Sequence, residues 1–421
     1  MVRASGYFLT DLVTFPEDIM TTRERFKKIA NFERTNDPSS FSLLAWSETF
    51  RRWVREGMPV KNLENMKEIN MHLLGYQDQN ESILPNAAIK GMGPLFNPPW
   101  VPPLDPMFET KILKDEGVTV IKVDYDGAIV RVKKDEPEAM PQWLEYPVKN
   151  KKTWDEYKKR LDPFSPGRWP QGWQIMNDDK LQWPIREEQE GKSFEERDFP
   201  LGMYAFTLYG APRNYMGLEN LSIATKENIS LVEEMIEWHT YLSYEMIKKV
   251  FAAGITLDWV WVWEDMAYNK GSLVSPNFVK KYMAPRYRKV VDLLRDNGVT
   301  AIIVDSDGNV EELIPIWLDC GINAVYPLER ASDMDAIRLR KKYGKNLIMI
   351  GNVDKRNLAK GKSEIDHEVG RIRVLLKDGG YFPGCDHHIP PDVPYENIVY
   401  FLNEVHKLSD YDEMRKFTGP K

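Results

Sequence analysis

From residue 255 onward the chain alternates short apolar runs with amphipathic stretches, and this alternation constrains the fold more than any other feature. Residues 255–262 form a β-rich run. Ser275 and Pro276 then supply an N-cap and a proline for the first helical position. A helical pattern follows to Asp296, and Asn297 with Gly298 closes it. Residues 299–304 (VTAIIV) read as the next strand, and residues 310–319 as a helix. Strands are expected at 322–326, 346–350 and 381–382, with helices at 333–343, 363–377 and 395–408 between or after them. Strands and helices alternating at this spacing build βαβ units and therefore a parallel sheet. Sequential strands in such units are neighbours, so 299–304, 322–326 and 346–350 should lie side by side. Asp305, Glu329 and Asn352 should then share one rim.

The first half is less regular. Residues 41–46 and 202–206 read as strands, while 118–124 and 128–133 flank Gly127 like a hairpin that leaves the main sheet. Residues 98–106 (PPWVPPLDP) form a proline-rich bend, and 149–191 a polar, Trp-spotted insertion. The fold expected is α/β, a (β/α)8 TIM barrel with N-terminal and mid-chain additions. Residues 1–110 would form an N-terminal segment and cap, and 111–421 the barrel with an insertion near 149–191. An open doubly wound sheet is the alternative, but no G-x-G-x-x-G or P-loop supports a nucleotide site.

Composition excludes several functions. A length of 421 residues, 42% hydrophobic and 29% charged, is that of an ordinary globular protein. A net charge of -7 gives no attraction to nucleic acid or to an anionic membrane surface. Cys320 and Cys385 cannot build a disulfide framework, which points to a reducing cytoplasm. No run approaches the roughly 18 apolar residues of a spanning helix, and the first residues meet acids too early for a signal peptide.

In a parallel barrel the functional face collects whatever follows each strand. Those positions hold Glu264 and Asp265 after WVWVW, Asp305 and Asp307 after AIIV, and Glu329 after NAVYPL. Asn352 and Asp354 follow LIMIG, and Cys385, Asp386, His387 and His388 end GGYFPG. Strand-end acids also cap helices, as Asp307 would for the helix that follows it. Metal ligation needs deprotonated donors converging within about 2 Å of one point. Asp305, Asp307 and His387, with Cys385 as a fourth donor, are the candidate set, and a mixed oxygen, nitrogen and sulfur set suits Zn²⁺ best. Trp259, Trp261 and Trp263 share one face of a strand, where they either fill the core or line a pocket for an aromatic ligand. His72, His239, His367 and His406 sit in helical patterns and read as packed or solvated residues. Arg51, Arg52 and Arg55 either bind an acidic substrate or form a solvated helix face, which is the commoner case for such a cluster.

At these segments the chain resembles the uroporphyrinogen decarboxylase-like superfamily. The resemblance is carried by Trp263 to Met266, Ser275-Pro276, Asp305 to Asn309, Tyr326 to Glu329, Asp354 to Arg356, and Gly379 through Pro391. Residues 22–30 (TRERFKKIA) with Arg52-Trp53 and Glu56-Gly57 resemble the superfamily's amino-terminal segment. The resemblance implies a (β/α)8 barrel with its pocket at the carboxyl ends of the strands. It implies one of two activities, cofactor-free decarboxylation of tetrapyrrole acetate groups or methyl transfer involving a corrinoid protein, usually with zinc. The decarboxylases' R-Q-A-G-R-Y motif is absent from this chain. Where the zinc methyltransferases use His-x-Cys and a later Cys, this chain has Asp305, Asp307 and His387.

The resemblance therefore favours a metal-assisted methyltransferase that moves a methyl group from a small aromatic methyl ether to the corrinoid of a partner protein. A metal-free decarboxylase or lyase is the alternative. On this reading Asp305, Asp307, Cys385 and His387 hold the metal. Glu264, Asp265 and Glu329 do acid–base work, and Trp261, Trp263, Asn352 and Asp354 contact substrate. No corrinoid-binding signature D-x-H-x-x-G is complete, since Pro391 stands where its Gly should be, so the corrinoid belongs to a separate protein. A homodimer is expected by analogy with the superfamily.

Overall fold

The computed structural model describes residues 20–35, 42–58, 87–89, 95–96, 104–135, 140–166, 168, 196–197, 200–252 and 254–417. Along the chain the strands are β1 (Ser42–Leu44), β2 (Ala87–Ile89), β3 (Leu95–Phe96), β4 (Lys111–Asp115), β5 (Thr119–Val123), β6 (Ile129–Lys133) and β7 (Gln142–Glu145). Then come β8 (Gly202–Phe206), β9 (Trp259–Trp263), β10 (Ala267–Tyr268), β11 (Gly271–Ser272), β12 (Ala301–Asp305), β13 (Ala324–Tyr326), β14 (Ile348–Val353) and β15 (Tyr381–Cys385).

Eight of these strands lie side by side and parallel in the order β1-β15-β14-β13-β12-β9-β8-β3, a (β/α)8 barrel arrangement. The short β2 runs antiparallel beside β1. The neighbours β12, β13 and β14 stand as their spacing predicts, with Ile303 opposite Ala324 and Ala324 opposite Ile348. Because β1 and β3 pair into this sheet, the barrel draws on both sides of the boundary expected at residue 110.

Alternation along each strand divides the core in two. Val260, Val262, Ile302, Val304, Val325 and Met349 pack outward into the large core shared with the surrounding helices. Trp259, Trp261, Ala301, Ile303, Ala324, Tyr326, Ile348 and Ile350 form a separate cluster inside the barrel. The Thr22–Ala30 helix closes the barrel's amino end. Its start is a capping box between Thr21 and Glu24. Its Phe26, Ile29 and Ala30 join the interior cluster, and the Phe26 ring stacks on Phe382 with centroids 5.5 Å apart. Just before β9, the buried Asp258 accepts from Arg23 Nε at 2.9 Å and from Arg197, which ties that helix to the sheet.

The hairpin expected off the barrel is β5 and β6, and it belongs to a four-stranded antiparallel sheet, β4-β5-β6-β7. Some element limits differ from the sequence pattern, and proline explains two of them. The helix expected from Val310 begins at Ile314 with Pro315 in its first turn, because a proline ring cannot be accommodated deeper in a helix. The helix that Ser275 caps is broken by a wider turn at Val279–Met283 before it resumes at Ala284 with Pro285. The last strand extends past its expected end to Cys385.

Within the expected 149–191 insertion, Lys151–Lys158 is helical. Residues 167 and 169–191 lie outside the described residues, as do 98–103 of the proline-rich bend, the amino-terminal residues 1–19, and His72. Among the described residues no helix is long and apolar enough to cross a membrane. Cys320 and Cys385 are both buried free thiols.

Candidate active site at the strand ends

The carboxyl ends of β12, β13 and β15 bring together Asp307, Glu329 and His387, whose donor atoms all lie within 4.8 Å of one another. His387 Nε2 and Asp307 Oδ2 are 3.2 Å apart. Burial by itself raises an aspartate, but the hydrogen bond and charge of His387 hold Asp307 below the usual carboxylate range. Burial lowers a histidine, yet Asp307 outweighs it and holds the His387 imidazole above its ordinary value. Glu329 accepts from the Gly308 amide at 2.9 Å, and its other oxygen lies 3.6 Å from Lys355 Nζ. A Cβ at Gly308 would meet the Tyr268 backbone at 2.6 Å, and its φ is +81°, so this loop needs glycine to pass beneath the β10–β11 turn. Beside the trio, the buried Asp386 accepts from the Arg330 and Lys355 amides at 2.8 and 3.1 Å. Trp46, from the amino-terminal segment, meets His388 edge-on with ring centroids 4.5 Å apart.

The other strand-end residues fall into different surroundings. Asp305 lies outside the trio and accepts from Trp261 Nε1 at 2.9 Å. Burial, reinforced by the charge of Asp307, pushes its carboxyl up to about 8. Cys385 packs into the core between barrel and helices, away from the trio, and burial raises its thiol well above the ordinary range. Glu264 is fully buried and accepts from the Leu208, Tyr209 and Gly210 amides and from the Tyr287 hydroxyl. That places it as a cap on the Gly210–Met216 helix rather than on an open face. Burial pushes it up to about 7 against the pull of those donors.

Asp265 pairs with Arg213, which also donates to the Asp265 carbonyl at 2.6 Å. Asn352 is enclosed, donating to the Leu328 and Met334 carbonyls and accepting from the Ala336 amide. Asp354 caps the turn that follows β14 and pairs with Arg356 at 2.7 Å. Asp265, Leu328 and Asn352 carry positive φ of 44°, 60° and 69°, a concentration of left-handed backbone at one rim. Of the arginine cluster, Arg52 pairs with Glu56 at 2.6 Å on the surface and donates to the Pro391 carbonyl.

A chamber of about 480 Å³ opens beside the rim. Tyr204, Trp263 and Asp305 wall it from the barrel, and Tyr215 and His239 from the helices. Asp126, at the β5–β6 turn of the antiparallel sheet, and Tyr157, from the Lys151–Lys158 helix, complete the wall. Trp263 thus lines open space, while Trp261 fills the barrel. Tyr157, Tyr215 and His239 carry no sequence signal of a pocket. Three helices and an inserted sheet, far apart in the chain, supply this wall.

Residues 207–408 match the family model described as Uroporphyrinogen decarboxylase (URO-D). The chain is 27% identical over 181 residues to a uroporphyrinogen decarboxylase of Helicobacter acinonychis (strain Sheeba), covering 43% of this chain and 48% of that protein. It is 24% identical over 203 residues to a uroporphyrinogen decarboxylase of Legionella pneumophila (strain Paris), covering 48% and 54%. The chain spans about half the length of the curated relatives it matches. Among solved structures, a methyltransferase from Methanosarcina mazei superposes with a TM-score of 0.52 at 14% identity, over 94% of this chain and 99% of that one. The likeness to that structure is one of fold.

Proposed function

We propose that this chain, whose residues 207–408 form a uroporphyrinogen decarboxylase-family domain, moves a methyl group from a small neutral methyl ether to the corrinoid of a separate protein. The observation that carries the reading is the trio Asp307, Glu329 and His387, which shares its rim with an aromatic-walled chamber that Asp305, two residues before Asp307, helps to line. Two carboxylates and an imidazole are donors that a divalent ion such as Zn²⁺ accepts, and the spacing of the trio fits the approach of such an ion. On this reading Glu329 takes the place of Cys385 and Asp305 among the ligands. When bound, such an ion supplies Lewis acidity toward an ether oxygen.

The remaining roles belong to side chains of the chain itself. Tyr204 and Trp263 orient a flat donor and exclude water from it. Asp305, in the chamber wall beside Trp263, is the side chain placed to give a proton to the oxygen from which the methyl group departs. Lys355 balances the charge of Glu329 and Asp386. Glu264 and Asn352 hold the rim's backbone in place and leave acid–base work to Asp305. Partners on this reading are a corrinoid protein and a second copy of the chain. Light scattering that returned a mass near 49.1 kDa would remove the second copy.

Decarboxylation of a tetrapyrrole acetate is the second reading, favoured by the family description. Among the described residues that line the chamber there is no lysine or arginine to hold carboxylates. Metal analysis of the purified protein, followed by a demethylation assay with cob(I)alamin as acceptor, separates the two. Stoichiometric metal with methyl transfer is the expected result. A metal-free protein that releases CO₂ from a tetrapyrrole acetate would overturn it.

A further inference from the structure

One polar feature of the chamber has no part in the chemistry above. The Tyr215 hydroxyl and His239 Nε2 lie 3.3 Å apart in its wall, on the Gly210–Met216 and Ile229–Ala252 helices. Tyr215 is held in place by Trp154 and Tyr157, with ring centroids at 5.6 and 4.7 Å. Burial lowers His239 to about 4, so the ring is neutral at pH 7 and carries one donor and one acceptor nitrogen. If the Tyr215 hydroxyl donates to Nε2, its oxygen keeps a free lone pair. If Nε2 carries the proton, the tyrosine O–H is free to donate. In either tautomer one hydrogen-bonding function of Tyr215 remains unspent, and among the described residues His239 is the partner of that hydroxyl.

The chamber's charge narrows what it can take. Its described lining holds two carboxyl groups, Asp126 and Asp305, and no cation. Asp126 already accepts from the Ala128 amide at 2.9 Å. An anionic ligand therefore meets no compensating cation, and a carboxylate brought in there would lose its hydration for nothing. A small alkylammonium ion would leave most of the 480 Å³ unfilled. Pockets of this size suit a ring-bearing molecule, and the wall here is largely aromatic.

We propose that the chamber binds a neutral, ring-bearing ligand whose hydrogen-bonding substituent is received by Tyr215 and oriented by His239. Tyr215 is then a specificity-determining residue. That this substituent points away from the reacting methyl group rests on the methyl-transfer reading. The binding itself does not, because it needs neither metal nor corrinoid.

The test is calorimetric titration of the purified full chain with four probes, in the presence of chelator. The probes are 4-methoxyphenol, anisole, 4-methoxybenzoate and 4-methoxybenzylammonium. The wild-type protein should bind 4-methoxyphenol at least ten-fold more tightly than each of the other three. Tyr215→Phe keeps the ring stack and removes the hydroxyl. It should abolish the advantage of 4-methoxyphenol over anisole while leaving anisole binding unchanged. Equal or tighter binding of either charged probe to the wild-type protein would overturn the proposal. So would a variant that retains the advantage, or one in which both neutral probes weaken equally, which is the mark of a merely structural residue. Failure of the methyl-transfer reading would appear only in the metal and demethylation assays and would leave these titrations unchanged.

Discussion

His387 and Asp307 show how much of a site can be read from residue types and how much cannot. Each stands where a strand ends in the sequence, and the two meet at 3.2 Å in the structure. Glu329 was legible as a strand-end acid, but its place beside them was not. Cys385 carries the most suggestive side chain and is directed into the core, because strand alternation turns its thiol toward the helices. Replacement of His387 by Ala should reduce bound zinc to under a tenth of the wild-type level, read by plasma mass spectrometry. An aliphatic side chain offers no nitrogen to an ion. Stability, read by urea denaturation, should move by only about 1 kcal/mol, since a rim residue contributes little packing. Unchanged metal content would remove His387 from the proposed ligand set.

At the scale of elements, the strands and helices of the second half are those the alternating pattern predicts, and where their limits differ proline often decides. The Thr22–Ala30 helix is a different matter. Its capping signals are visible in the sequence, but nothing local tells that its apolar face fills the amino end of the barrel. Phe26 is fully buried there, stacked on Phe382. Phe26→Ala should cost about 3–5 kcal/mol, the usual range for removing a core phenylalanine, measured by urea denaturation. A loss below about 1 kcal/mol would mean that the helix is not a working part of the barrel core. The wall of the chamber was equally hidden, because the hairpin pattern of β5 and β6 marks an excursion from the barrel without saying where it returns.

For the molecule as a whole, buried titratable groups set how stability responds to pH. His239 is lowered to about 4 in the folded state, against roughly 6.5 when unfolded. The unfolded chain therefore binds a proton that the folded chain refuses, and this contribution to stability is lost as pH falls from about 6.5 toward 4. His388, also lowered to about 4, acts in the same direction. Glu264, raised to about 7 from an ordinary 4.5, acts in the opposite sense and costs stability as pH rises through that interval. The gap in unfolding free energy between the wild type and His239→Gln should shrink by about 2 kcal/mol from pH 7 to pH 5, with the common Glu264 effect cancelling. A constant gap would mean that His239 takes up its proton without unfolding. What the sequence alone determined was the parallel barrel and the rim on which acids and imidazoles collect, because both follow from periodicity along a single strand and from where that periodicity stops. Which of those groups meet, which are sealed as caps, and which distant aromatics close the chamber were decided only by the tertiary structure. Those are distances between segments up to 80 residues or more apart, set by strand register and helix packing rather than by any local pattern.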